Sequence, residues 1–360
     1  MISVKERTLH EAIYKGIREA KTQGRSLLVS HVEKVNQLNP ITFFNNSSVA
    51  FTGQRFFWSS PEGKVLAGAG VAASFEAKGT TRAQHIKAEW EQVLTNRVAN
   101  QATMPSGTGP ILIGGFSFDP ANSSDSRWSG FPDAGFNIPM FMLTIKGVNT
   151  WLTINSWVNA AMEADELANK LIETREMLLK NRSDQYAISQ RLQKINDLDA
   201  EAWIANVKKA TTLIAEGELD KVVLAREVEI QGSAPFSISS VLNHLTENQK
   251  NSYVFAFEKE EMCFIGATPE RLIERRGNTF LTGALAGTAA RGKSLEEDQR
   301  LEKELLKDAK NRKEHDYVVN MFGGAMASFT EDLTFPEQPQ ILKVNDVQHL
   351  YTPISGMAKD

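Results

Sequence analysis

Between residues 252 and 287 four apolar runs, SYVFAFE, MCFIGA, ERLIERR and TFLTGALAG, follow one another with only tight connections between them. Parallel neighbours need a crossover of a dozen or more residues, usually a helix, so strands strung this closely have to pair antiparallel. Helical periodicity covers 1–24, closed by Gly24, then about 80–100, 161–182, 199–216 and 294–328, where Ser294 and Glu297 form an S-x-x-E capping box. Strand-type runs occupy VAFTG, RFFWSS and KVLAGAGVA between Ile41 and Phe75, then ILIGGFSF, a hairpin-like stretch over 139–159, and KVVLAREVEIQ. The pattern predicts an α+β fold of antiparallel sheets flanked by helices. At 360 residues the chain exceeds the size at which a single core stops growing. Two lobes are therefore expected, 1–198 and 199–360, the second holding the motifs described next.

Charge and cysteine content remove several classes of function. A net charge of −4 without any Lys/Arg-rich block gives no surface for a polyanion, so nucleic acid is not an expected partner. Cys263, the single cysteine, stands between Met262 and Phe264 and reads as a small buried hydrophobe. The amino terminus is a charged amphipathic helix and no run reaches the length of a membrane span, which points to a cytoplasmic protein.

Chemistry concentrates in four segments: LDKVVLARE (219–227), IGATPERL (265–272), GALAGTAARGK (283–293) and DAKNRKEHDYVV (308–319). Lys221 enters an apolar strand pattern. Such a lysine is usually an edge charge or a snorkelling side chain, but in a closed site it loses hydration and its amine becomes available as a general base. Glu270 follows Pro269, which fixes the turn and aims the carboxylate; the plain reading is a solvated turn glutamate, the other an acid. Gly283, Gly287 and Gly292 with Thr288 let backbone N–H groups approach an anion such as a carboxylate. The stretch GTAARGKS also matches G-x-x-x-x-G-K-[ST], yet the meander-like strands before it and the lack of a downstream apolar run ending in an acid argue against a phosphate loop. In the helical stretch 294–328, Arg312, His315 and Asp316 fall on the face of Leu301, Leu305 and Val319, which marks either an ion-pair network or a site. A lone Glu314 on a different side suits a hard cation such as Mg²⁺. The six histidines show no zinc spacing.

In this order, KVVLARE, GATPERL, ALAGT, KNRKEH and VQHLYTPI resemble the chorismate-utilising enzymes, most closely the isochorismate synthases of menaquinone biosynthesis. FFWSSP and GGFSFDP extend the resemblance, more loosely, into the amino-terminal half. The family fold is a two-lobed α+β body. The resemblance implies Lys221 as the base that activates water for attack at C2 of chorismate and Glu270 as the acid that protonates the departing C4 hydroxyl. It implies Gly287 and Thr288 as holders of a substrate carboxylate, His349 near the leaving-group side, and Glu314 as a ligand of Mg²⁺. Aminating relatives carry an uncharged amide where Lys221 stands, and those making aminodeoxychorismate a lysine where Ala286 stands. A salicylate synthase or a siderophore-pathway isochorismate synthase shares the remaining motifs. The resemblance also implies a segment beyond VQHL with a second metal glutamate and cationic partners for the substrate. The chain is accordingly expected to be incomplete at its carboxy terminus, and a catalytically inactive remnant is the reading from a different class.

Overall fold

The computed structural model describes residues 4–99, 104–121, 126–182 and 191–359. The chain begins α1 (Val4–Gln23), β1 (Leu27–Lys34), α2 (Pro40–Asn46), α3 (Ser48–Phe51), β2 (Arg55–Ser59), β3 (Lys64–Ala77), α4 (Arg82–Thr95), β4 (Arg97–Ala99) and β5 (Ile113–Phe116). It continues β6 (Ala134–Lys146), β7 (Asn149–Val158), α5 (Ala164–Leu178), β8 (Leu192–Asp197), α6 (Ala200–Ala215), β9 (Val228–Gly232), α7 (Ile238–Asn248), β10 (Tyr253–Lys259) and β11 (Met262–Thr268). The last elements are β12 (Glu274–Arg276), β13 (Thr279–Ala290), α8 (Leu295–Lys307), α9 (Ala309–Ala327), β14 (Thr330–Thr334), β15 (Gln340–Lys343) and β16 (Val347–Ala358).

Two compact units result, Met1–Tyr186 with Ile238–Thr246 and Tyr253–Ala267, and Ala187–Ser237 with Glu247–Ser252 and Thr268–Asp360. The expected division near residue 198 is a single cut along the chain, whereas these units are interleaved along it. The reason lies in β10, which pairs antiparallel with β2 and so carries 253–267 into the first unit.

The first unit is built on one sheet in the order β11-β10-β2-β3-β6-β7-β1-β4, with β5 on β6. Its hairpin β6–β7 turns through Gly147 at φ +59°, the positive φ that a two-residue hairpin loop requires. Along β1, Leu27 and Val29 face a core with Leu9 and Ile13 of α1 and Phe43 and Phe44 of α2, while Leu28 faces a second core with Ile86 and Val93 of α4. The period of two thus lets one strand serve helices on both faces. Arg55 and Glu258, both buried, join β2 to β10 through Arg55 Nε–H donating to Glu258 Oε2 at 2.7 Å, and the guanidinium also lies 4.3 Å above the Phe44 ring. Cys263 packs against the first core, and burial pushes its thiol up to about 12.

The second unit holds a sheet in the order β12-β13-β16-β14, with β15 on β16, packed against α8 and α9 around Ala284, Met326 and Ile354. It also contains the two-stranded β8–β9 and α6, a helix with no buried residue. Among the described residues no helix is long and apolar enough to cross a membrane.

Several expectations are corrected locally. VAF of VAFTG is the short helix α3, not a strand, and before it PITFFNN forms α2, whose start is fixed by Asn39 Oδ1 accepting from Ile41 N at 2.8 Å. KVVLARE is not a strand: only from Val228 does the chain pair, with β8, and Val223 is 79% exposed. In ERLIERR only Glu274–Arg276 is strand. The four consecutive strand runs do not form one meander, because β10 and β11 join the first sheet and β12 and β13 the second. The helix expected over 294–328 breaks in two at Asp308, whose carboxylate accepts from Asn311 N at 2.7 Å and so caps α9.

Candidate active site

All six residues singled out from the sequence, Lys221, Glu270, Gly287, Thr288, Glu314 and His349, fall in the second unit. Their frame is the pairing of β13 with β16. Leu285 lies opposite Tyr351 and Thr288 opposite His349, so β13 carries one residue more than β16 between these pairs. This is a β-bulge, and Gly287 at φ +81° occupies the left-handed conformation that such a bulge demands. A Cβ there would stand 3.2 Å from both Asn311 Cβ and Leu350 Cδ1, so α9 and β16 close on the glycine from two sides.

The bulge brings Thr288 and His349 together at 2.9 Å, hydroxyl to Nδ1. Burial holds His349 below the ordinary imidazole range. From the helix side, His315 reaches the same bulge with Nδ1 3.1 Å from the Ala286 carbonyl oxygen and Nε2 2.8 Å from Thr352 Oγ1. It is 1% exposed, and burial lowers its pKa more than the neighbouring groups change it. Sequence periodicity had marked His315 as a polar group on an apolar face, and the structure resolves the conflict with two hydrogen bonds.

Lys221 and Glu314 also meet, Nζ to Oε1 at 3.1 Å. One helical turn along α9, Tyr317 donates its hydroxyl to Asp220 at 3.2 Å, so residues 314 and 317 pin the segment 220–221 at two adjacent points. Tyr317 and Asp220 went unnoticed in the sequence; the i, i+3 spacing on α9 is the signal that could have found them. Glu270 lies outside these contacts. It is exposed on the loop after β11, where its backbone N–H donates to Thr268 Oγ1 at 3.1 Å. The following residues are tied to β13, since buried Thr282 donates to the Leu272 carbonyl at 2.6 Å.

The stretch with the phosphate-loop pattern is something else. Residues 287–290 belong to strand β13, and the N–H groups beyond it are taken within the protein, that of Arg291 by the Asp346 backbone carbonyl at 3.1 Å and the next two by carboxylates. Gly292 N–H donates to Asp298 Oδ1 at 2.9 Å and Lys293 N–H to Glu297 at 2.8 Å, while Ser294 Oγ accepts from Glu297 N at 3.2 Å, as the capping box predicts. Asp298 further accepts from Arg291 at 2.7 and 3.0 Å and from Lys343 at 2.9 Å, and these donors hold its carboxyl far below the usual range.

Among the described residues no group of three or more His, Cys, Asp or Glu is placed to hold a metal. A closed protein cage is therefore not what these residues offer. The single carboxylate of Glu314 fits instead a hard cation that takes one or two protein carboxylates and completes its shell with water and substrate oxygens.

The family model described as chorismate binding enzyme matches residues 15–360. The isochorismate synthase MenF of Bacillus subtilis is 35% identical over 368 residues, covering 100% of this chain and 78% of that protein. The salicylate biosynthesis isochorismate synthase of Pseudomonas aeruginosa is 30% identical over 353 residues, covering 96% and 71%. Among solved structures, the menaquinone-specific isochorismate synthase MenF of Escherichia coli superposes with a TM-score of 0.74 at 21% identity, over 98% of this chain and 76% of that one. Anthranilate synthase component I of Streptococcus pneumoniae gives a TM-score of 0.63 at 16% identity, over 82% and 69%. The last two share the fold.

Proposed function

Since the chain belongs to the family of chorismate binding enzymes, we propose that it is an isochorismate synthase, which isomerises chorismate by adding water at C2 and expelling the C4 hydroxyl, in the service of menaquinone synthesis. The relation to the Bacillus subtilis enzyme, which runs the whole length of this chain, carries the reading. Lys221 and Ala286 favour it over the aminating chemistries, which need an amide at the first position or a lysine at the second.

In this reaction Lys221 takes the proton of the attacking water as its oxygen bonds to C2. The ring double bond shifts, and the C4–O bond breaks as Glu270 delivers its proton, so the hydroxyl departs as water and no net atom is gained or lost. In this structure Nζ of Lys221 donates to Glu314, so before it can serve as the base the side chain has to leave that carboxylate and its nitrogen has to be free of the third proton. Gly287 and Thr288 receive a substrate carboxylate, the glycine because it leaves the backbone N–H groups uncovered. Glu314 would hold a divalent cation of the Mg²⁺ type, which supplies positive charge to the substrate's ring carboxylate when bound.

Incubation of the purified protein with chorismate and Mg²⁺, without ammonia, tests the proposal by chromatography of the products. Isochorismate is expected. Salicylate as the main product, an aminated product once ammonia is added, or no product at all would overturn it.

A further inference from the structure

His315 is buried at the bulge yet has no task in the reaction as described. Its partners define its state. The Ala286 carbonyl oxygen can only accept, so the proton of the neutral ring is on Nδ1, and Nε2 is left to accept from the Thr352 hydroxyl. The two contacts reach different strands, Ala286 on β13 and Thr352 on β16. Ala286 is also a residue that the bulge removes from the register between Leu285 and Thr288, so the ladder supplies its carbonyl with no paired residue opposite. Immediately after it come Gly287 in its left-handed conformation and Thr288 in contact with His349. The Ala286–Gly287 peptide, which leads into these two residues, is thus held from the helix side by one imidazole.

We propose that His315 is a positioning residue for the reaction: as the Nδ1–H tautomer it grips the Ala286 carbonyl and thereby orients the Gly287–Thr288 backbone toward the substrate carboxylate. The inference rests on the functional reading above, since it takes that carboxylate as the group received. Because such a grip acts on bound substrate before and during the chemical step alike, its loss falls mainly on KM.

Two variants of similar polarity separate positioning from mere support. In His315→Asn the side-chain amide nitrogen stands where Nδ1 stood and keeps the bond to Ala286. In His315→Gln the amide reaches the Nε2 position and leaves that carbonyl unmatched. The KM for chorismate is expected to stay within about threefold of native in His315→Asn and to rise by between about tenfold and 10²-fold in His315→Gln, the range for a misplacement of up to 1 Å. Equal losses in the two variants, or a native KM in His315→Gln, would overturn the proposal. Nitrogen-15 spectra of the histidine-labelled full chain provide a reading independent of turnover: Nδ1 protonated and Nε2 bare, with the Gly287 and Thr288 amide signals displaced in His315→Gln and not in His315→Asn. If the native protein fails to convert chorismate, the functional reading falls, and these spectra still decide the clamp. A protonated Nε2 with bare Nδ1 sinks it whatever the activity.

Discussion

At the scale of single residues, the site is a set of pairs held by short contacts: Lys221 with Glu314, Thr288 with His349, His315 with Ala286 and Thr352. Replacing Lys221 by Ala or Glu270 by Gln should each lower kcat by about 10²–10⁴-fold, the usual consequence of losing a positioned base or acid. Steady-state rates on variants whose circular dichroism matches native check this, and near-native turnover in Lys221→Ala would send the search for the base elsewhere. Gly287→Ala is expected to cost about 1–3 kcal/mol, because it forces a side chain into a left-handed backbone between Asn311 and Leu350. Chemical denaturation measures the loss, and an unchanged midpoint would mean that the bulge relaxes. Candidate residues of the site could be read from the chain because each sits in a short motif with its own local chemistry. Their partners could not: nothing in KVVLARE shows that Lys221 meets a glutamate 93 positions away, and only three-dimensional pairing reveals it.

At the scale of elements, local rules succeed where an element carries its own instructions. α1 stops at Gly24, the 134–158 hairpin turns on Gly147, and α8 starts on its capping box. They fail where a distant partner decides. β1, LLVSHVEK, has no clean alternation because seven of its eight residues are buried, whereas KVVLARE has strand composition but precedes the ladder, which β9 forms with β8 from Val228 on. Within β1, His31 is 1% exposed with neither ring nitrogen bonded, and burial, aided by the charge of Arg175, pushes its pKa down to about 4. The unfolded chain takes up a proton at this histidine as pH falls below about 6.5, whereas the folded strand does not until about 4, so stability is full above that window and declines as pH drops through it. The decline amounts to on the order of 3 kcal/mol for this group. Denaturant unfolding at pH 7 and pH 5 should therefore differ more for the native protein than for His31→Leu; equal differences would show that other groups govern the slope.

At the scale of the molecule, burial is unevenly divided. The four largest fully buried side chains, Phe43, Phe44, Phe57 and Phe141, lie in the first unit, whereas in the second the fully buried hydrophobic side chains are smaller, Leu350 and Ile354 among them, with a cluster around Ala284, Met326 and Ile354. Within the second unit, α6 has no fully buried residue, only a half-buried stripe of Trp203, Val207, Ala210 and Leu213, and β8–β9 is a two-stranded ribbon with Leu192, Ile195 and Ile230 exposed, a form that is marginal in water. Amide hydrogens over 192–232 should exchange well ahead of those in β6 and β7, a contrast that peptide-resolved exchange reads directly. Uniform protection would show that the ribbon is covered in solution. The α+β class was legible from the close-strung strands, whereas their division between two sheets depends on which distant strand each one meets. That division also bears on how the protein is made. β2 leaves the ribosome long before β10, so during translation the edge that carries Phe56 and Phe57 waits open while the whole of 60–252 is synthesised. A nascent chain in that interval offers its neighbours an apolar strand that β3 pairs on one side only, so what shields the open edge until residue 257 emerges bears on how much of the chain folds rather than associates.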